Sequence, residues 1–242
     1  MNKIGRSIKS GIGMMKYSMA FRMNVVLMIA FAALGIAYEV ITVFSMLGGE
    51  HSQGISNYNG IWMLAISPIY SIQLMYGISL AGVVQSSSAK KGLLVYAATA
   101  FKAVMEIVCY TILAVTRYFC CQITGEARPD ILFGLLFFGL FSLVISLYTV
   151  IIYRYVTAGY VIMLPLIIIF MLVPVFTSRK EILFNPSVLM GMMPFGHSYA
   201  ACVIIGAAIV ILDIVLFFVL SKLLYKVPLA ERAFKQLLAR AK

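Results

Sequence analysis

Four ionisable residues interrupt otherwise apolar stretches of this chain: Glu39, Lys102, Glu106 and Asp213. A charge inside a segment long enough to cross a membrane is costly, and such residues line cavities, hold substrates, relay protons or pair with one another. Lys102 and Glu106 stand four apart, on one helix face, where they can neutralise each other. Glu39 and Asp213 have no partner at that spacing within their own stretches. Two readings stay open for them: a proton relay or substrate contact, or an interhelical hydrogen bond to a Tyr, Ser or Thr. Other chemistry is missing. His51 and His197 do not form a metalloprotease pattern, and neither a G-x-S-x-G elbow nor a G-x-x-x-x-G-K-[ST] phosphate loop occurs. No catalytic residue and no metal site is expected, so the chain is read as a non-enzyme. If its work consumes ATP, another chain must bind the nucleotide. Cys109, Cys120, Cys121 and Cys202 lack metal-ligand spacing and are read as small apolar side chains.

The elements that carry these residues follow from composition. With 63% hydrophobic and 11% charged residues in 242, the chain cannot hide its apolar side chains inside a water-soluble globule. Six apolar runs, at 24–47, 61–84, 93–119, 131–153, 156–176 and 198–224, each have about the 20 residues that a crossing helix needs. Strand-like alternation is absent. Residues 1–23 combine Lys3, Arg6, Lys9, Lys16 and Arg22 with Ile4, Ile8, Ile12, Met15 and Met19 at helical spacing, which predicts an amphipathic helix lying on the membrane surface. The expected fold is therefore an all-α integral membrane protein forming one domain over 1–242: an N-terminal amphipathic interfacial helix, six transmembrane helices within 24–224, and an amphipathic cytoplasmic tail at 225–242. A long piece at 177–197 between spans five and six, apolar and broken by Pro186 and Pro194, is too short to cross and is expected as a re-entrant outer element. Pro68, Pro165 and Pro174 should kink the spans that hold them.

Charge sets the orientation. Of the 19 Lys and Arg residues, Arg117, Arg128, Arg179 and Lys180 fall on one side and Lys102 within a span, while all others gather on the opposite side. The positive-inside rule makes that basic side cytoplasmic and puts both termini there. The formal charge of +11 thus faces anionic lipid headgroups, and nucleic acid is not an expected partner. The polar, basic break Gln85-Ser86-Ser87-Ser88-Ala89-Lys90-Lys91-Gly92 becomes a cytoplasmic loop, as does the tight turn at Arg154.

This layout, with the stretch from Val84 to Lys91 similar to a Ser-Ser-x-x-Lys-[Lys/Arg] loop, resembles the permease subunits of bacterial ABC-2 type exporters. Where many relatives carry an acidic residue at the start of that loop, this chain has Gln85. The resemblance implies a multi-pass permease of the cell membrane that binds no cofactor itself. It would pair with a second permease, identical or paralogous, and with two ATP-binding-cassette subunits holding ATP and Mg. Gln85, Ser86, Ser87, Ser88, Lys90, Lys91 and Arg154 would couple the ATPases to the spans, and the outer element with Glu181, Asn185, Pro186 and Pro194 would gate the exit. Two other functions stay open: an ion-coupled carrier using Glu39 and Asp213, which the lack of a visible inverted repeat disfavours, and a non-transporting immunity or scaffold protein.

Overall fold

The computed structural model describes residues 3–18, 21–48, 55–79, 89–177 and 190–227. Gln85, Ser86, Ser87, Ser88, Glu181, Asn185, Pro186 and the tail from Pro228 onward lie outside the described residues. Among the described residues there is no strand. Helix α1 (Lys3–Met14) and a 3₁₀ turn (Met15–Tyr17) lead into α2 (Phe21–Leu47) and α3 (Ile55–Ser79). A short turn (Ala89–Lys91) and a π-helical segment (Gly92–Ala97) run directly into α4 (Ala98–Thr124), which α5 (Pro129–Ile152) follows. A helical run in three pieces, Val156–Ala158, π-helical Gly159–Met163 and α6 (Leu164–Thr177), precedes the last long helix, α7 (Tyr199–Leu224).

The long helices bury their polar residues and expose their apolar ones, the reverse of a helix on a water-soluble protein. In α2 the buried positions are Asn24, Gly35, Glu39 and Thr42, a single stripe, whereas Val26, Ile29, Ile41 and Phe44 point outward. In α7 the buried stripe is Cys202, Gly206, Val210, Asp213, Phe217 and Ser221, and Ile204, Ile211, Val215 and Leu223 are exposed. Lipid tails satisfy such a surface, since they are as apolar as the side chains themselves. Helices α3 and α5 form the middle of the bundle. Phe137, Phe138 and Phe141 of α5 pack with Ile61 and Leu64 of α3 and Leu113 of α4, while α2 lies along α3 and α7 along α5.

Close helix contact depends on glycine at particular points. A Cβ at Gly35 would fall 2.7 Å from Leu64 Cγ and 3.0 Å from the Leu64 nitrogen, so α2 and α3 touch backbone to backbone there. A Cβ at Gly11 would lie 2.8 Å from that of Ala97, which lets α1 rest on the π-helical segment. Ser18 Oγ then donates to the Leu74 carbonyl at 2.7 Å and fixes the junction between α1 and α2.

Five helical segments are long and apolar enough to cross a membrane: Phe21–Leu47, Tyr58–Ile78, Gly92–Thr124, Pro129–Ile152 and Tyr199–Leu224. The chain is thus a multi-pass, all-helical membrane protein, with five such helices rather than the expected six among the described residues. The expected span at 156–176 is not among them: its run counts as a shorter apolar helix, Val156–Ile169, and contains a π-helical turn. Its cause is Pro165, which has no N–H and whose ring clashes with the carbonyl four residues back, so the preceding turn widens. The Leu164 N–H accordingly bonds to the Gly159 carbonyl, five residues back. Pro68, by contrast, sits inside an unbroken α3.

Basic residues gather at one end of the bundle. There α1 packs on the π-helical segment 92–97, Lys91 Nζ lies 5.4 Å from the centre of the Tyr225 ring, and Arg154 reaches the last turn of α7. The opposite end is closed by Gly125 at φ 72°, which terminates α4, and by a two-pronged Arg128–Asp130 pair (3.1 and 2.6 Å) at the start of α5.

Candidate functional site

All four expected intramembrane charges are buried, and they fall into two separate sites along α4. The first joins three helices. Lys102, 1% exposed, donates from Nζ to the Glu106 carboxylate one turn away and to Asp213 Oδ2 of α7 at 2.8 Å. Glu106 Oε1 accepts from Ser142 Oγ of α5 at 2.5 Å, and Asp213 Oδ2 also accepts from Ser146 Oγ at 3.1 Å. Asp213 Oδ1 is buried with no hydrogen-bond partner. The Phe217 ring lies 5.5 Å from Lys102 Nζ and covers the ammonium.

The sequence pairs Lys102 with Glu106, as observed, but leaves Asp213 alone. Its partner lies 111 residues away, across a helix contact. Ser142 and Ser146, one turn apart on the buried face of α5, are the site residues that sequence reasoning passes over. Their signal is weak but present: two hydroxyls at i, i+4 in an otherwise apolar helix, with both side chains facing inward.

The second site is a closed pair. Arg117 Nη2 of α4 donates to Glu39 Oε1 of α2 at 2.9 Å, and Thr116 Oγ1 donates to Glu39 Oε2 at 3.1 Å. Arg117, counted with the outer-side charges and lying within the expected span at 93–119, is 1% exposed. Helix α4 continues to Thr124, so Arg117 lies well inside it, and the carboxylate on α2 compensates its charge. Gly60 of α3 closes the site from the third side, since a Cβ there would meet Glu39 Oε1 at 2.7 Å. The eleven residues from Glu106 to Arg117 separate the two sites by about 16 Å of helix.

Three expected coupling residues, Lys90, Lys91 and Arg154, are among the described residues. Arg154 is 5% exposed. Its Nε donates to the Leu224 carbonyl at 2.9 Å and its Nη1 to Tyr76 Oη at 3.3 Å, so it staples the ends of α3, α5 and α7 together. Lys90 and Lys91 are half-buried at the start of the third span. Of the outer-gate residues, Pro194 is described and lies exposed in the turn before α7. Neither the Lys102 nor the Glu39 site is brought together with Arg154, Lys90 or Pro194.

Comparison with known protein families, curated proteins and solved structures finds no match to this chain. The arrangement is therefore read from its own chemistry. Both sites are buried networks of charges and hydroxyls. Each can hold helices in register, and the first, with two carboxyls on one ammonium, can also exchange a proton.

Proposed function

We propose that this chain is the permease subunit of an ATP-driven exporter of the ABC-2 type. It forms the export path with a second permease, identical or paralogous, and is driven by separate ATP-binding-cassette subunits that hold ATP and Mg. The observation that carries this reading is the seat of α1. A basic amphipathic helix, with Arg6 and Lys9 exposed, lies against the π-helical segment that begins one residue after Lys91. A push on the loop 85–91 would therefore reach both α1 and the third span. A π turn at that point supports the reading, because such turns mark places where a helix can give.

Six crossings complete the proposal. At Arg154 the chain is beside the C-terminal end of α7, and Tyr199, at the start of α7, bonds to the Ala114 carbonyl toward the other end. The intervening helical run, Val156 through Thr177, supplies on the order of 33 Å, enough to traverse the apolar layer. In this reading both termini are cytoplasmic and the piece around Glu181, Asn185, Pro186 and Pro194 closes the outer exit.

Purification of the tagged chain from its native membrane in mild detergent is expected to bring an ATP-binding-cassette subunit with it. Lys90→Ala/Lys91→Ala should weaken that association without loss of membrane insertion. Recovery of the permease alone, repeatedly, would sink the proposal. The buried triad favours a second reading, an ion-coupled carrier, in which transport collapses with the proton gradient and survives ATP depletion.

A further inference from the structure

The three-helix site carries an unmatched charge. Glu106 and Asp213 both contact Lys102, so with every group ionised the site has two negative charges and one positive. All three side chains are sealed, with Lys102 1% and Glu106 and Asp213 0% exposed. The elements packed against α7 bring these groups to Asp213 or near it. From α4 come Lys102 and Glu106, with Cys109 on the same buried stripe. From α5 come the hydroxyls of Ser142 and Ser146, which carry no charge. From the π-helical segment, Tyr96 reaches the ring of Phe218. On α7 itself the nearest cation, Lys222, is exposed at the helix end, and Arg117 is engaged by Glu39 some three turns along α4. An uncompensated charge in such a position costs several kcal/mol, and two carboxylates in contact with one cation away from water do not both stay ionised.

The hydrogen bonds say where the balance lies. Both Glu106 oxygens are taken, by Ser142 and by Lys102, and Asp213 Oδ2 is taken by Lys102 and Ser146. Asp213 Oδ1 is the one carboxyl oxygen of the cluster that no donor reaches. A bare anionic oxygen there is costlier than a neutral one, so the site favours holding one proton over leaving both carboxyls ionised. A metal or alkali cation does not answer the charge: such ions take about six oxygen ligands, and Lys102 Nζ already occupies the point where the carboxyls converge.

We propose that Lys102, Glu106 and Asp213 form a binding site for one proton, shared by the Glu106 and Asp213 carboxyls beside the Lys102 ammonium. Loss of that proton leaves a net negative charge in the seam between α4, α5 and α7. The seam then reseals only if water or a cation enters, so the proton is what keeps the three helices closed on one another.

The test is infrared difference spectroscopy of the purified full chain in lipid nanodiscs at neutral pH. A protonated carboxyl gives a carbonyl band that shifts on exchange into heavy water. The wild type should show one such band, Glu39→Gln should keep it, and both Asp213→Asn and Glu106→Gln should abolish it, because each leaves one carboxylate balanced by Lys102. Absence of the band in the wild type overturns the proposal whatever the variants do. So does a band that survives both amide substitutions, or one that appears only when sodium and potassium are removed, since a metal ion would then hold the site.

Discussion

Glu39–Arg117 and Lys102–Glu106–Asp213 occupy the same helix, are equally sealed, and differ in stoichiometry. The first balances one anion with one cation and adds a hydroxyl from Thr116. Gly60 lets α3 close over it. It ties α2 to α4 and has nothing left to exchange. The second sets two anions on one cation and leaves one oxygen bare. The pair gives up its charges to hold the bundle, whereas the triad keeps a chemical degree of freedom. Burial alone therefore does not distinguish a lock from a site; the count of charges within hydrogen-bond reach does.

Removing the cation from either site is the most severe way to break the comparison. Lys102→Met strands two carboxyls and Arg117→Met strands one, and each is expected to cost about 3–5 kcal/mol, the range for breaking a buried pair by deleting one partner. Denaturation in mild detergent should show both losses. Recovery separates the sites. Glu39→Gln added to Arg117→Met should restore most of the lost stability, because a neutral pair of similar volume needs no counter-charge. Lys102→Met should recover with either Glu106→Gln or Asp213→Asn alone, because the carboxyl that remains keeps the proton of the site and no net charge is left. If neither single amide substitution rescues it and both are needed, both carboxyls are ionised and the contrast fails.

A smaller effect probes how the pair is sealed. Gly60→Ala puts a methyl 2.7 Å from Glu39 Oε1 and 3.2 Å from the Gly35 carbonyl oxygen, so α2 and α3 must separate or Glu39 must turn away from Arg117. Overpacking of this sort costs about 1–3 kcal/mol. In the Arg117→Met/Glu39→Gln background the penalty should shrink, and an unchanged penalty there would mean that the backbone contact, not the ion pair, is what Gly60 protects.

How much of this was legible depended on range along the chain. The long helices were readable from apolar runs alone, and Lys102–Glu106 from their four-residue spacing, since both signals are local. The partner of Asp213 was not, because spacing within α7 says nothing about which face of α4 it meets. Arg117 was counted only as a charge on the outer side, near the end of the run at 93–119, and its anion on α2 could not be read from spacing. The run itself ends at Gly125, whose left-handed backbone ends α4. Pro165 was legible as a disturbance. That it acts through a widened turn upstream, at Gly159–Met163, and divides the expected fifth span is a consequence of the clash four residues back, which composition does not reveal. Arg154 read as part of a tight cytoplasmic turn because its neighbours in sequence are short of room; its burial comes from Tyr76 and the end of α7, far away in the chain.

The mildest substitution separates the two sites most cleanly. Asp213→Asn keeps the shape of the side chain, and its remaining carbonyl oxygen can still accept from Lys102 Nζ and Ser146 Oγ, while Glu106 alone balances Lys102. Because the triad holds one proton between its two carboxyls, the amide keeps its charge balance, and stability should change by about 1 kcal/mol or less, the scale of one altered hydrogen bond. The same chemistry at the other site is not mild. Glu39→Gln leaves Arg117 buried without its anion and should cost about 3 kcal/mol or more. Melting curves of the two variants beside the wild type therefore give a large drop for one and almost none for the other. Two equal large drops would make Asp213 an ionised structural partner and the triad a lock of the same kind as the pair.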